Sequence, residues 1–432
     1  MTVPRRNPEN MRAATDDIGS SNNSGQNVTR RQRPSLAIYG EVKRGNITIT
    51  LWRLNWRSAG MKSFNRLKPV ALAIGALAFA GSVYAETIKI GIPQPMTGPA
   101  TQYGDQIQAG ALTAIEAINA AGGVKGKKLE PLLIDDGCEP KQAVPAANRV
   151  VNAGAKFAVA HACSGTTVPA VNVYENEGIV AITPGATSPL VTDTIKPHYF
   201  FRTIGRDDQQ GPFAAGYITN ELKPKNVAIL HDKQTYGSGI ASQVRDTLGK
   251  NGIDVALYEG INVGDSDYSA VITKLKSMDP GLIYFGGYHA ELGLLLRQAR
   301  EQGLNTQFMG PEGVANDDLI AIAGPASEGL LVTLPADFTK LAGNEQILEH
   351  FKTYKRSPDG AFTMPAYAAV QILVESINTV GEDPDKVADH MHKASFNTAI
   401  GKVEYDAKGD LKEFEFAVYK VDDKGNMNQL EK

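Results

Sequence analysis

The chain has 432 residues, 42% of them apolar and 21% charged, with 43 glycines, 23 prolines and two cysteines. That is enough for two domains with separate cores, and it excludes a disulfide-stapled miniprotein, a disordered chain and a multi-spanning membrane protein. The net charge of −3 hides an asymmetry: residues 1–85 hold thirteen basic side chains and four acids, leaving 31 bases against 43 acids in residues 86–432. An acidic body without a basic stripe argues against a nucleic-acid partner.

Residues 1–60 are polar, basic and without periodicity, with Asn-Ser-Gly and Asn-Asn-Ser runs typical of unstructured chain. From Met61 the pattern changes. Lys62, Arg66 and Lys68 form a basic start, residues 70–80 are an apolar run of eleven, and Val83-Tyr84-Ala85 offers small residues for cleavage. Eleven apolar residues are too few for a bilayer core, which takes roughly 20. Residues 61–85 therefore read as an export signal with Glu86 as the mature N-terminus and the periplasm as destination. No cysteine follows the cleavage site, so a free protein is expected, not a lipid-anchored one. Because an export signal normally opens a chain, residues 1–60 read as an extension upstream of the true start. The rival reading makes them a cytosolic arm with 61–85 as an anchor.

Beyond residue 86 short β-rich runs alternate with amphipathic stretches. Residues 87–92 predict a strand, and Ile107, Ala111, Ala114, Ile115 and Ile118 then share one helical face, closed by Gly122-Gly123. Strands at 129–135, 157–160 and 178–182 continue the series, with a helical stripe through Val144, Ala147, Val150 and Val151. After Arg202 the rhythm restarts, with strands at 226–231, 255–258 and 282–286. Helices run through Ile240, Val244 and Leu248 and through Leu292, Leu295, Leu296 and Ala299. Such alternation means βαβ units, parallel sheets covered on both faces, and an α/β chain of two doubly wound lobes. Ligands bind such sheets at the carboxyl ends of the strands. The loops that matter are then 95–105, 161–167, 183–189, 233–237, 288–289 and 311–313.

Those loops hold a recognition inventory, not a catalytic one. No dinucleotide Gly-x-Gly-x-x-Gly, P-loop, His-Glu-x-x-His, EF-hand or Gly-x-Ser-x-Gly motif is present. The seven histidines are scattered, so no metal or cofactor is expected. In an exported chain with two cysteines, Cys138 and Cys163 read as a disulfide, which removes Cys163 as a nucleophile and leaves Ser164 without a base. Ser164-Gly165-Thr166-Thr167 follows a strand and opens a helix, a seat for a carboxylate. Thr183-Pro184-Gly185-Ala186-Thr187 repeats the pattern, although ordinary N-capping fits either segment equally well. Glu312 in Met309-Gly310-Pro311-Glu312-Gly313 is an acid for an ammonium, or else a solvated loop residue. Tyr103, Tyr236 and Tyr288 on strand-end loops, with Phe362 opening a later helix, either line an apolar pocket or simply pack. Together these features describe a site for a zwitterion with an apolar side chain.

From Glu86 to about Tyr419 the chain resembles the periplasmic Leu/Ile/Val-binding proteins of branched-chain amino-acid ABC transporters. The resemblance is carried by Gln102-Tyr103-Gly104-Asp105-Gln106, Asp135-Asp136-Gly137-Cys138-Glu139-Pro140, His161-Ala162-Cys163-Ser164 and Ile182-Thr183-Pro184-Gly185-Ala186-Thr187. It continues through His231-Asp232-Lys233-Gln234-Thr235-Tyr236-Gly237, Gly286-Gly287-Tyr288-His289, residues 307–316 and Asp406-Ala407-Lys408-Gly409-Asp410. It implies a two-lobed flytrap of the type I periplasmic binding fold, with lobe one at 86–205 and 336–413 and lobe two at 206–335 and 414–432. The chain would cross between them near Gly205, Pro335 and Phe414. By resemblance, Ser164 and Thr187 with nearby backbone N–H groups such as that of Ala186 hold the ligand carboxylate. Glu312 and the Gly185 carbonyl hold its ammonium, Tyr103, Tyr236, Tyr288 and Phe362 surround its side chain, and Cys138–Cys163 is the family disulfide. The implied role is capture of leucine, isoleucine or valine by a monomer that delivers it to a membrane permease. An extracellular amino-acid sensor of the same fold is the alternative. Ala162, where a leucine is common, and Gly185, where some members have alanine, both point to extra room and to acceptance of larger ligands, including phenylalanine.

Overall fold

Residues 86–430 are described in the computed structural model of the chain; the expected export signal at 61–85 and the stretch before it lie outside them. Strand β1 (Thr87–Gln94) places Ile88, Ile90 and Ile92 in one core while Gly91 faces the other way, where an added Cβ would sit 2.8 Å from Val150. It is therefore covered on both faces, as a central parallel strand must be. Helix α1 (Thr101–Ala120) buries the predicted stripe of Ile107, Ala111, Ala114 and Ile115. Strand β2 (Lys128–Asp135), α2 (Pro140–Asn152), β3 (Phe157–Val159), α3 (Ser164–Glu177), β4 (Val180–Thr183), a short α4 (Leu190–Asp193) and β5 (Phe200–Arg202) follow. The sheet is all parallel in the order β2-β1-β3-β4-β5.

After β5 the chain enters a second lobe. Helix α5 (Asp207–Tyr217) leads to β6 (Val227–His231), α6 (Thr235–Lys250), β7 (Val255–Gly260), α7 (Ser269–Met278), β8 (Leu282–Gly286), α8 (His289–Glu301), β9 (Phe308–Gly310), α9 (Asp317–Ala323) and β10 (Leu331–Pro335). It then returns. Helices α10 (Glu345–Thr353), α11 (Thr363–Val380) and α12 (Pro384–Met391) and the hairpin β11 (Ser395–Thr398)–β12 (Gly401–Glu404) pack on the first sheet, with Phe351, Ala368, Leu373 and Phe396 joining the core of Ile90 and Val159. A third crossing brings β13 (Phe416–Val421) and β14 (Met427–Gln429) back to the second sheet, whose order is β14-β13-β10-β9-β8-β6-β7. The fold is thus α/β, with two doubly wound lobes and three crossings.

The second sheet is not wholly parallel. Strands β13 and β14 run antiparallel to their neighbours, because β13 arrives from the other lobe and β14 follows it through a tight turn at Asp422–Asn426, which only an antiparallel pair can use. At the first crossing a Cβ on Gly205 would come within 2.4 Å of the Phe416 ring and 2.5 Å of Phe414, so only glycine lets the linking segments pass. Beside it Arg202, fully buried, pairs with Asp410 at 2.5 Å, and Arg206 pairs with Asp193, Asp208 and Asp410. This network fastens the 406–410 loop of the first lobe to the start of the second.

Candidate functional site

The first wall is built at the carboxyl ends of β3 and β4. His161, at φ 58°, turns the chain sharply out of β3. Its Nδ1 lies 2.6 Å from Asp136 Oδ2 and its Nε2 2.9 Å from Tyr174 Oη, all three side chains being buried. Asp136 Oδ1 accepts the Cys138 N–H, and Cys138 is bonded to Cys163 with Cα atoms 5.6 Å apart. This chain of contacts holds Ser164 at the first turn of α3, where N–H groups lack intrahelical carbonyls and the dipole favours an anion. Ser164 Oγ accepts the Ser188 N–H at 3.2 Å. Thr183 Oγ1 accepts from the N–H groups of Gly185 and Ala186 and donates to the His161 carbonyl, locking the two loops together.

The second wall comes from the other lobe. Tyr236 lies in the first turn of α6 and accepts the Gly313 N–H at 3.1 Å; Tyr288 precedes α8, its ring 5.2 Å from that of Tyr236. Glu312 opens a short 3-10 turn after β9 and is 2% exposed. Burial raises its carboxyl above the ordinary carboxylate range, with Tyr236, Gln210 and Thr187 among the groups acting the other way. Its Oε2 nevertheless has no hydrogen-bond partner among the described residues. Burial also pushes the phenols of Tyr103, Tyr236 and Tyr288 far up, so all three are neutral hydrogen-bonding groups.

The two walls meet at Tyr103. It sits in the first turn of α1, not on the preceding loop as its strand-end position implied, because the helix begins at Thr101. Its Oη lies 2.6 Å from the Gly313 carbonyl and 2.6 Å from His289 Nδ1, both in the opposite lobe. One hydroxyl proton serves one acceptor. Burial lowers the pKa of His289 and favours its neutral form, and the Tyr103 O–H donates to the Gly313 carbonyl. Phe362, just before α11, packs edge-on at 5.6 Å from the Tyr103 ring.

A small, nearly closed pocket is lined by Tyr103, Ala162, Cys163, Ser164, Gly185, Tyr236, Tyr288, Glu312, Gly313 and Phe362. Seven of the nine residues read from the sequence as ligand-binding are among them. Ala186 is not: it is fully buried and its carbonyl accepts from Arg202 at 2.9 Å. Thr187 also lies behind the lining, with a buried Oγ1 that has no close partner among the described residues but stands near Glu312 and Asp207. Gly185 is not spare volume, since an added Cβ would stand 2.9 Å from the Ala162 carbonyl oxygen. The glycine permits close approach of two loops. Sequence reasoning missed Asp207 and Gln210, both buried. Gln210 Nε2 donates to the Thr333 carbonyl and hydroxyl, and its Oε1 has no partner among the described residues. Chemically the site offers an anion seat on one side, a buried acid on the other and aromatic sides. His161 bonds Asp136 and Tyr174, not Ser164.

Comparison with known proteins agrees with this geometry. A family model described as periplasmic binding protein matches residues 87–426. The chain is 50% identical over 360 residues to a leucine-, isoleucine-, valine-, threonine- and alanine-binding protein of Pseudomonas aeruginosa, covering 83% of this chain and 96% of that one. It is 47% identical over 355 residues to a Leu/Ile/Val-binding protein of Escherichia coli K12, covering 82% and 96%. Among solved structures, a leucine-binding protein of Thermotoga maritima superposes with a TM-score of 0.74 at 26% identity, over 80% of this chain and 98% of that one.

Proposed function

The chain belongs to the periplasmic binding protein family, and from that premise we propose that it is the solute-binding component of a branched-chain amino-acid ABC transporter. It captures leucine, isoleucine or valine between its lobes and presents the closed complex to a membrane permease. The observation that carries this reading is the convergence, from both lobes, of a helix N-terminus at Ser164 and a buried Glu312 on one aromatic-walled pocket. Ser164 and the first N–H groups of α3 take the ligand carboxylate. Glu312 and the Gly185 carbonyl take its ammonium, and Thr187 assists from behind. Tyr103, Tyr236, Tyr288 and Phe362 enclose the side chain. Ala162 leaves room beside it, and phenylalanine should be accepted on that account.

Lobe one comprises 86–205 and 336–413, and lobe two 206–335 and 414–432. Export through cleavage after Ala85 delivers the protein to the periplasm, and mass spectrometry of the mature chain should find Glu86 at its start. The decisive experiment is mass spectrometry of ligand released from purified protein, followed by calorimetric titration with valine, leucine, isoleucine and phenylalanine. Recovery of a branched-chain amino acid is the expected result. Equilibrium dialysis showing no uptake of any common α-amino acid would overturn the reading, and strict selectivity for valine would overturn the acceptance of phenylalanine.

A further inference from the structure

Behind the pocket lies a second acid that the roles above leave unused. Asp207 is the first residue of α5, placed there by the crossing at Gly205, and it is fully buried. Its backbone N–H is bonded to the Thr187 carbonyl at 3.0 Å. Neither Oδ1 nor Oδ2 has a close hydrogen-bond partner among the described residues, and nor has Glu312 Oε2; the Thr187 hydroxyl stands near enough to both carboxyls, and Tyr236 and Gln210 near enough to that of Glu312, to act against their rise. Two acids from different elements therefore share one buried corner.

Of the neighbouring cations, Arg202 lies near enough for its charge to act against the rise of the Asp207 carboxyl, but both guanidiniums are hydrogen-bonded elsewhere. Arg202 is held by Asp410 and by the carbonyls of Ala186 and Ser188, and Arg206 by Asp193, Asp208 and Asp410. The other titratable groups facing the pair are Asp208, occupied by Arg206, and Tyr103, Tyr236, Tyr284 and Tyr288, which burial keeps neutral. Two carboxylates in a water-poor site do not both ionise without a cation between them; one proton is shared instead. Burial and mutual repulsion both act to raise the carboxyl of Asp207, and burial raises that of Glu312.

We propose that Asp207 and Glu312 form one proton-sharing acidic unit, in which the α-ammonium of an incoming amino acid takes the place of the shared proton and that proton leaves to solvent. Asp207 is then a positioning residue acting through Glu312 and Thr187. It selects for a ligand bearing a full positive charge, because a ligand without an ammonium leaves the proton where it was. The inference rests on reading the pocket as an amino-acid site.

The test is calorimetric titration of the mature protein with leucine at neutral pH in phosphate and in Tris, whose ionisation enthalpies differ widely. The expected result is release of about one proton per leucine bound. Asp207→Asn should abolish that release and flatten the pH dependence of leucine affinity, while Asp207→Glu should retain both. Binding with the same enthalpy in both buffers would overturn the shared proton, and release persisting in Asp207→Asn would remove Asp207 from it. No leucine binding in either buffer would instead sink the transport reading itself, and this inference with it. Should Asp207→Asn fail to fold, the infrared difference spectrum of the wild-type protein still decides. Loss of a buried protonated-carboxyl stretch on leucine addition supports the proposal, and no change in that band overturns it.

Discussion

A buried carboxylate has to be matched by something positive, and Glu312 is the case in point. If it faces the ligand ammonium, Glu312→Ala leaves that cation buried without a counter-charge, and leucine affinity should fall by about 2–5 kcal/mol in calorimetric titration. Unchanged affinity would remove Glu312 from the site. Asp232, after β6, is a buried acid of another kind. Burial first, with the Glu291 charge adding and the Gln234 N–H opposing, lifts its carboxyl from 3.8 to about 7. Between about pH 4 and pH 7 the folded chain therefore holds a proton that the unfolded chain has lost. That contribution is fully present below about pH 4 and disappears as pH rises through 7, an effect on the order of 3–4 kcal/mol. Asparagine keeps an Oδ1 to accept the Gln234 N–H at 2.9 Å. Asp232→Asn should accordingly be more stable than the parent at pH 8, by about 1–3 kcal/mol, with the gain absent near pH 4. Urea unfolding at the two pH values measures it.

At the scale of elements, the disulfide and the Asp136–His161–Tyr174 chain do one job: they fix the loop from which α3 starts. Replacing both Cys138 and Cys163 by serine should cost roughly 3–4 kcal/mol of stability on the chain-entropy account. Because Ser164 directly follows Cys163, leucine affinity should fall as well; a loss of stability with affinity intact would mean that the helix start is held without the bridge. Which elements could be read beforehand follows from length and burial. Strands β1, β2, β6 and β8 and helices α1, α6 and α8 are five or more residues long, long enough for an apolar pattern to show them. Strands β5 and β9, three residues each, are too short to carry a period, and the antiparallel pairing of β13 depends on a crossing that no local pattern encodes. The pocket divides the same way. Ser164, Gly185, Tyr236, Tyr288 and Glu312 stand at strand ends in any doubly wound sheet, so their positions were open to inference. Asp207 looks in sequence like a solvated acid beside Asp208, and only the crossing at Gly205 brings it behind Glu312.

For the whole molecule the question is what holds the lobes together once they meet. Tyr103 belongs to the first lobe, and its hydroxyl is inserted between His289 and Gly313 of the second. Gln102 Oε1 also accepts the Asp317 N–H at 2.8 Å across the gap, but this contact is exposed and competes with water. Tyr103 is 1% exposed, so its two bonds are sheltered from water; on the proposed capture cycle they form as the lobes close. A ligand shifts the open–closed balance only by binding the closed form better, and groups that stabilise the closed form alone slow its opening. Tyr103→Phe keeps the ring against Phe362 and Tyr288 and removes only the hydroxyl. It strands His289 Nδ1 and the Gly313 carbonyl, each of which regains water on opening. The expected cost is about 1–2 kcal/mol, so leucine should dissociate roughly tenfold faster while its association rate stays nearly constant. Stopped-flow fluorescence resolves the two rates. An unchanged dissociation rate would show that the tyrosine only fills space, and an equal loss in the association rate would show that it acts before the lobes close.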